Sequence, residues 1–178
     1  ELARDIAQRF NHRFGPVFRL PEAMLPPVAA RVMDLQEPTR KMSKSARSER
    51  GIVHVLDDPD AIVAKFRSAV TDSDGEVRAD RAAKPGVTNL LEILAAVTGG
   101  TVEDAVAAHG AGGYGALKAA VAEAVVEHLR PIRERHTELA ADPGEVLRLL
   151  AAGADRARAV AAPTFERARD AMGFLPPA

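Results

Sequence analysis

Apolar positions recur along most of this chain at the three- and four-residue spacing of an α-helix. Leu2, Ile6 and Phe10 share one face of a segment from Glu1 to Arg13. Asp58-Pro59, a cap residue with proline in the first turn, opens a second helix that runs on Ile62, Phe66 and Ala69-Val70. Pro85-Gly86 starts a third, from Val87 to Thr98, which Gly99-Gly100 stops. Thr101 with Asp104 reads as a capping box for a short helix ending near His109-Gly110, and Gly112-Gly113 as a hinge or turn. Tyr114, Leu117, Val121, Val125, Leu129, Ile132 and Leu139 trace one face of the longest segment, which Pro131 is expected to kink. Asp142-Pro143 caps a last helix carrying Val146, Leu149, Leu150, Val160 and Phe165. Gly153 and Pro163 are expected to bend or divide it, and Gly173 to end it.

The helical spacing fails between Phe14 and Asp58. Phe14-Gly15-Pro16 breaks the first helix, and Pro21, Pro26 and Pro27 rule out regular structure soon after. Val17–Leu20 and Arg31–Leu35 read as short strands, and Ile52–Leu56 as a strand or the start of a helix. Arg40 to Gly51 is polar and basic with no apolar period, hence a mobile loop, and Thr71 to Asp80 is another loop. The pattern therefore predicts a mainly α fold in two parts. Residues 1–56 read as a short α/β remnant, such as the end of a Rossmann-type nucleotide-binding domain would look like, and residues 57–178 as a helical domain. The chain starts inside a helix, with neither an initiating Met nor a cap residue, and so reads as a fragment.

Composition narrows the chemistry. Aromatic residues are only 4 %, so the core rests on Ala, Val, Leu and Ile, which favours helices. With no cysteine, disulfides and thiolate metal sites are excluded. The five histidines, His12, His54, His109, His128 and His136, lack metal-ligand spacing, so no metal site is expected. No apolar run is long enough to span a bilayer and no signal peptide opens the chain, which leads us to expect a cytoplasmic location and no membrane partner. The net charge is −1, so any nucleic-acid contact needs a local basic patch.

The informative string is Lys41-Met42-Ser43-Lys44-Ser45. Two lysines three apart in a small-residue loop can place two ammonium groups on one polyphosphate. The serines add hydroxyls and allow close backbone approach, and Met42 supplies an apolar anchor. Charge grows on a departing pyrophosphate, so lysines aimed at it stabilise the transition state more than the ground state. Lysine spacing alone would favour an ordinary solvated loop. All five specified residues together arise by chance on the order of once in ten thousand chains of this size. Asp57-Asp58 reads as a helix start, Asp72-Ser73-Asp74 as a turn, and Tyr114 as a core anchor rather than a catalytic phenol.

The pentapeptide is identical to the second signature of class I aminoacyl-tRNA synthetases. Other blocks resemble the bacterial tryptophanyl-tRNA synthetase family, in order along nearly the whole chain. They are Leu2-Ala3-Arg4-Asp5-Ile6-Ala7 with Arg9-Phe10-Asn11, Ala30-Arg31-Val32-Met33 with Glu37, Pro38 and Thr39, and Ala69-Val70-Thr71-Asp72-Ser73. Lys84-Pro85-Gly86-Val87-Thr88-Asn89-Leu90-Leu91, Gly113-Tyr114-Gly115 and Ala171-Met172-Gly173 complete the set. Bacterial tyrosyl relatives usually have Phe-Gly where this loop has Met42-Ser43, and lack the blocks that begin at Ala69 and Lys84.

This resemblance implies tryptophan--tRNA ligase activity, with Lys41 and Lys44 catalytic on the ATP phosphates and Met42, Ser43 and Ser45 in the same ATP-binding loop. It implies that Val32 meets the adenine through its backbone and that Mg²⁺ accompanies ATP. It also implies tryptophan and tRNA(Trp) as partners, with the helical domain taking the anticodon end, and a homodimer for the full-length protein. Arg130, Arg133, Arg135, Arg148, Arg156 and Arg158 are RNA-contact candidates by charge alone. Two features depart from the family pattern. Ala46 stands where an Asp usually follows the pentapeptide, and the first class I signature is not among these residues. Hence the alternative reading of a non-catalytic tRNA-binding module.

Overall fold

The structure, a computed structural model, describes residues 1–26, 29–45 and 48–175. Pro27 and Ala46, singled out above, lie outside them. Six α-helices follow one another: α1 (Leu2–Phe14), α2 (Pro59–Arg67), α3 (Pro85–Thr98), α4 (Val102–His109), α5 (Gly113–Ala141) and α6 (Pro143–Met172). Short 3₁₀ turns occupy Glu49–Gly51 and Gly110–Gly112. The fold is mainly α, as the apolar spacing predicts. The chain gathers into two compact units, one of residues 26–137 and one of residues 1–25 with 138–178.

The 26–137 unit carries the main core. Leu35, Ile62, Phe66, Val87, Leu90, Leu91, Leu117 and Val121 are all but sealed from solvent. Residues on both sides of position 56 share this core. α2 begins where the sequence places it, with the Asp58 side chain accepting from the Asp60 N–H at 2.9 Å. It ends at Arg67, two residues before Ala69, and the Val70 N–H then donates to Leu35 C=O at 2.7 Å. α3 is apolar nearly all round and is buried over most of Gly86–Ala95. A Cβ at Gly86 would stand 2.1 Å from the Val70 carbonyl oxygen, so only glycine lets the chain pass there. Thr101 and Asp104 form the expected capping box on α4. The stripe on α5 is core only in its first half: Leu117, Val121 and Val125 are buried, whereas Ile132 is 45 % exposed.

In the other unit α1 packs on α6. Phe10 packs against Phe14 with the rings tilted and meets Phe18 edge-on, with centroids 4.9 and 4.8 Å apart. Asp142 caps α6 by accepting from the Glu145 N–H at 3.0 Å, and Gly173 ends it. Neither Gly153 nor Pro163 divides the helix, which runs unbroken from Pro143 to Met172.

The strand expectations are corrected. No strand occurs among the described residues, and the single bridge joins Met33 to Lys41. Two of the three segments have an asparagine side chain where a strand partner would be. Asn11 accepts from the Phe18 N–H at 2.8 Å and donates to Phe18 C=O at 2.7 Å. Asn89 does the same to Met33, at 2.9 Å each way. A carboxamide offers a donor and an acceptor side by side, as one residue of a neighbouring strand would, but it serves one residue and cannot continue a ladder. Ile52–Leu56 is neither strand nor helix. It leaves the 3₁₀ turn with Ile52 buried and is closed by the Asp57 side chain accepting from the His54 N–H at 2.9 Å.

Candidate functional site

The Lys41–Ser45 loop is rooted in the 26–137 unit and open at its tip. At the root, the Asp34 N–H donates to Arg40 C=O at 2.8 Å, and the Met42 N–H donates to Val32 C=O at 3.0 Å. The Asp34 side chain, itself buried, accepts from the Gln36 and Glu37 amides at 2.8 and 3.0 Å, folding the tight turn that returns the chain to Arg40. Gly51 lies directly against it. A Cβ there would stand 2.0 Å from an Asp34 carboxylate oxygen, so a side chain at position 51 would push the turn out of place. Ser48 caps the adjoining 3₁₀ turn, accepting from the Arg50 N–H at 3.3 Å.

Above the root the side chains divide by chemistry. Met42 is half-buried and packs on the core, at the edge of an apolar hollow of ≈ 250 Å³ that Val32, Val53, Ile93 and Leu129 also line. Lys41, Ser43, Lys44 and Ser45 are exposed. The two serine hydroxyls lie 3.1 Å apart. Among the described residues neither lysine has an ion-pair partner, whereas Arg40 beside them is bound to Glu37 at 2.9 Å. Lys41, Ser43 and Ser45 border a polar hollow of ≈ 130 Å³ with Asp34, Glu37 and Ser48. Val32 is half-buried next to this loop, tied to it through its carbonyl. The structure thus brings the six candidate site residues to one loop and its root. The arrangement can place two free ammonium groups and two hydroxyls on an anion while the methionine holds the loop to the protein.

A second polar cluster was not legible as one. Lys84, 1 % exposed, donates to Asp72 and Tyr114 at 3.0 and 2.9 Å and pairs also with Asp74. The Tyr114 hydroxyl bonds to both carboxylates. Burial works against the Lys84 charge, but the bonds to Asp74, Tyr114 and Asp72 outweigh it and raise its pKa above the ordinary lysine value. The Tyr114 hydroxyl holds Asp72 below the usual carboxylate range, and Lys84 holds Asp74 below it. This cluster ties the 71–80 loop to the starts of α3 and α5. It touches no residue of the Lys41–Ser45 loop. Tyr114 packs against the core as well, in keeping with its reading as an anchor.

The candidate arginines divide between the two units. Arg130, Arg133 and Arg135 belong to the 26–137 unit, and Arg148, Arg156 and Arg158 to the other. Arg130 is held by Glu127 and Glu134, Arg148 by Glu145, and Arg158 by Asp155. Arg133 donates to Val126 C=O at 3.2 Å, with its other terminal nitrogen buried. Most of this charge is spent within the helices themselves.

The family model for class I tRNA synthetases (W and Y) matches residues 1–130, the signature loop included. The chain belongs to that family. Within the family its likeness is to tryptophanyl members. It is 56 % identical to tryptophan--tRNA ligase 1 of Streptomyces coelicolor over 99 % of this chain and 52 % of the relative. It is 52 % identical to the tryptophan--tRNA ligase of Mycobacterium leprae over 99 % of this chain and 51 % of the relative. The solved tryptophanyl-tRNA synthetase of Mycoplasma pneumoniae superposes with a TM-score of 0.86 at 33 % identity, over 97 % of this chain and 52 % of that one. The Campylobacter jejuni enzyme, solved with ADP and tryptophan, gives 0.60 at 26 % identity, over 96 % and 52 %. The chain spans about half the length of the curated relatives it matches. No helix among the described residues is long and apolar enough to cross a membrane.

Proposed function

We propose that this chain is the loop-bearing, helical part of a cytoplasmic tryptophan--tRNA ligase, which joins tryptophan to tRNA(Trp) at the expense of ATP. The carrying observation is the identical class I pentapeptide with Lys41 and Lys44 exposed and, among the described residues, unpaired on a loop whose root is fixed. In this reading tryptophan's carboxylate attacks the α-phosphate of ATP, the bond to pyrophosphate breaks, and the two ammonium groups follow the charge that grows on the leaving oxygens. The Val32 backbone contacts the adenine. Met42 holds the loop against the core while its tip moves, and Ser43 and Ser45 add hydroxyls toward the phosphates. Catalysis is mostly positioning and charge stabilisation. Mg²⁺ would arrive on the ATP phosphates. No trio of metal-ligating side chains converges among the described residues, so no step is assigned to it. Residues 1–56 serve the nucleotide and residues 57–178 the anticodon end of tRNA(Trp), and the working protein is a homodimer.

The test is single-turnover adenylate formation in the full-length ligase. Lys41→Ala and Lys44→Ala should each raise the barrier by about 2–4 kcal/mol while weakening ATP binding far less. Equal losses in ATP affinity with an unchanged single-turnover rate would reduce the lysines to ground-state binders.

A further inference from the structure

We propose that Asn89 is a positioning residue for the signature loop, its carboxamide fixing the Val32–Met33 segment from which Lys41 and Met42 hang. The inference rests on the ATP reading above and deepens it. Asn89 sits inside α3 at 2 % exposure, among Val87, Leu90 and Leu91. Asparagine is a poor helix former, and burying its amide costs free energy unless both ends are bonded. An apolar side chain would suit that face of α3 better. What the amide gains is its grip on one residue 56 positions away: it accepts from the Met33 N–H and donates to Met33 C=O, at 2.9 Å each. Reversing the amide would set donor against donor and acceptor against acceptor, so the orientation is determined. From Met33 the ties run directly to the loop. Met33 pairs with Lys41, and Val32 C=O accepts the Met42 N–H at 3.0 Å.

The consequence is a loop with exposed lysines and a fixed origin. The most buried helix of the unit holds the segment, and the segment holds both the Val32 backbone and the Lys41 main chain. The spacing between the adenine contact and the first phosphate-binding lysine is then set from α3. Asn11 grips Phe18 with the same two bonds in the other unit. It offers a matched control, since its side-chain bonds run to Val17 and Phe18.

The experiment changes one atom. Asn89→Asp keeps the side chain's shape but turns the donor that faces Met33 C=O into an acceptor. Amide hydrogen exchange on this chain should show Met33 and Met42 exchanging about tenfold faster, with Leu91 and Val121 unchanged. Asn11→Asp should leave Met33 and Met42 at the parent rate. In the full-length ligase, Asn89→Asp should raise KM for ATP and lower kcat for adenylate formation, each about tenfold, without moving KM for tryptophan. Unchanged exchange at Met33 and Met42 would overturn the proposal. So would their acceleration in step with Leu91 and Val121, which would make Asn89 an ordinary core residue. Should Asn89→Asp fail to fold, Asn89→Ser, which is neutral and smaller, is read in the same way. If Lys41→Ala leaves adenylate formation intact, the ATP reading falls, and exchange alone still decides the clamp.

Discussion

The two compact units are built from the same kinds of helix and treat their apolar side chains in opposite ways. In the 26–137 unit Phe66, Ile62, Leu91 and Leu117 are wholly enclosed. In the unit of residues 1–25 and 138–178 the buried apolar residues among those described are Ala7 and Ala168, while Leu147, Leu150, Val160 and Phe165 stand 64–80 % exposed. The first unit is held by its core. The second is held by local devices: the Asp142 cap, the Phe10 ring cluster, the Asn11 bonds to Phe18, and ion pairs a turn apart such as Arg158–Asp155. Exposed pairs of that kind each contribute at most about 1 kcal/mol. Amphipathic spacing thus produces a helix in both places, but only one of them converts its apolar face into buried area.

Mutating one phenylalanine in each unit tests that contrast most severely. Phe66→Ala should cost about 3–5 kcal/mol, as expected for a sealed aromatic. Phe165→Ala, at a site 67 % exposed, should stay within about 0.5 kcal/mol. Urea unfolding followed by circular dichroism reads both, and comparable losses would erase the distinction.

Acid and alkali should act next, and on the cored unit. Asp72 and Asp74 have folded pKa values below their ordinary ones. Their contribution is therefore complete above about pH 4 and lost as pH falls further. Lys84 is shifted upward by its partners, and Tyr114 upward by burial and by Asp72. Their contribution is complete below about pH 10 and lost as pH rises past it. Thermal midpoints should accordingly plateau between those limits. A Lys84→Gln variant should melt earlier at neutral pH and lose less on acidification. An identical acid limb in parent and variant would show that the cluster does not set it.

The smallest effects separate the units by sign. Gly86→Ala drives a Cβ into the Val70 carbonyl and should cost about 1–3 kcal/mol. Gly153→Ala meets nothing within 4 Å in the middle of α6 and should stabilise by about 0.5–1 kcal/mol. Differential scanning calorimetry of the two variants gives both signs, and a loss at position 153 would reveal packing there.

Helix starts were legible because their causes are local. Asp58-Pro59, Thr101 with Asp104, and Asp142-Pro143 each carry the cap and its donor within three residues. The signature loop was legible for the same reason, since five consecutive residues define it. What escaped the sequence is what distance joins. Asn89 reaches Met33 across 56 residues, and Tyr114 reaches Asp72 across 42. Val17–Leu20 and Arg31–Leu35 have strand-like composition, but composition does not say that an amide side chain will take the partner's place. The apolar stripe of α5 continues in sequence through Leu139, yet it is buried only over Leu117, Val121 and Val125, where α5 lies against the core. A proline or glycine inside α6 looked like a break because the pattern cannot weigh one lost hydrogen bond against thirty residues of helix.

One consequence of the Lys84 cluster is optical. The sequence contains no tryptophan and a single tyrosine, Tyr114. All hydroxyl-bearing fluorescence of these 178 residues therefore comes from one phenol, and that phenol is hydrogen-bonded to two carboxylates. Carboxylate acceptors draw the excited phenol's proton and dim its emission. Opening the cluster should brighten the chain, so that its own faint ultraviolet light reports, without any dye, whether the 71–80 loop is still fastened.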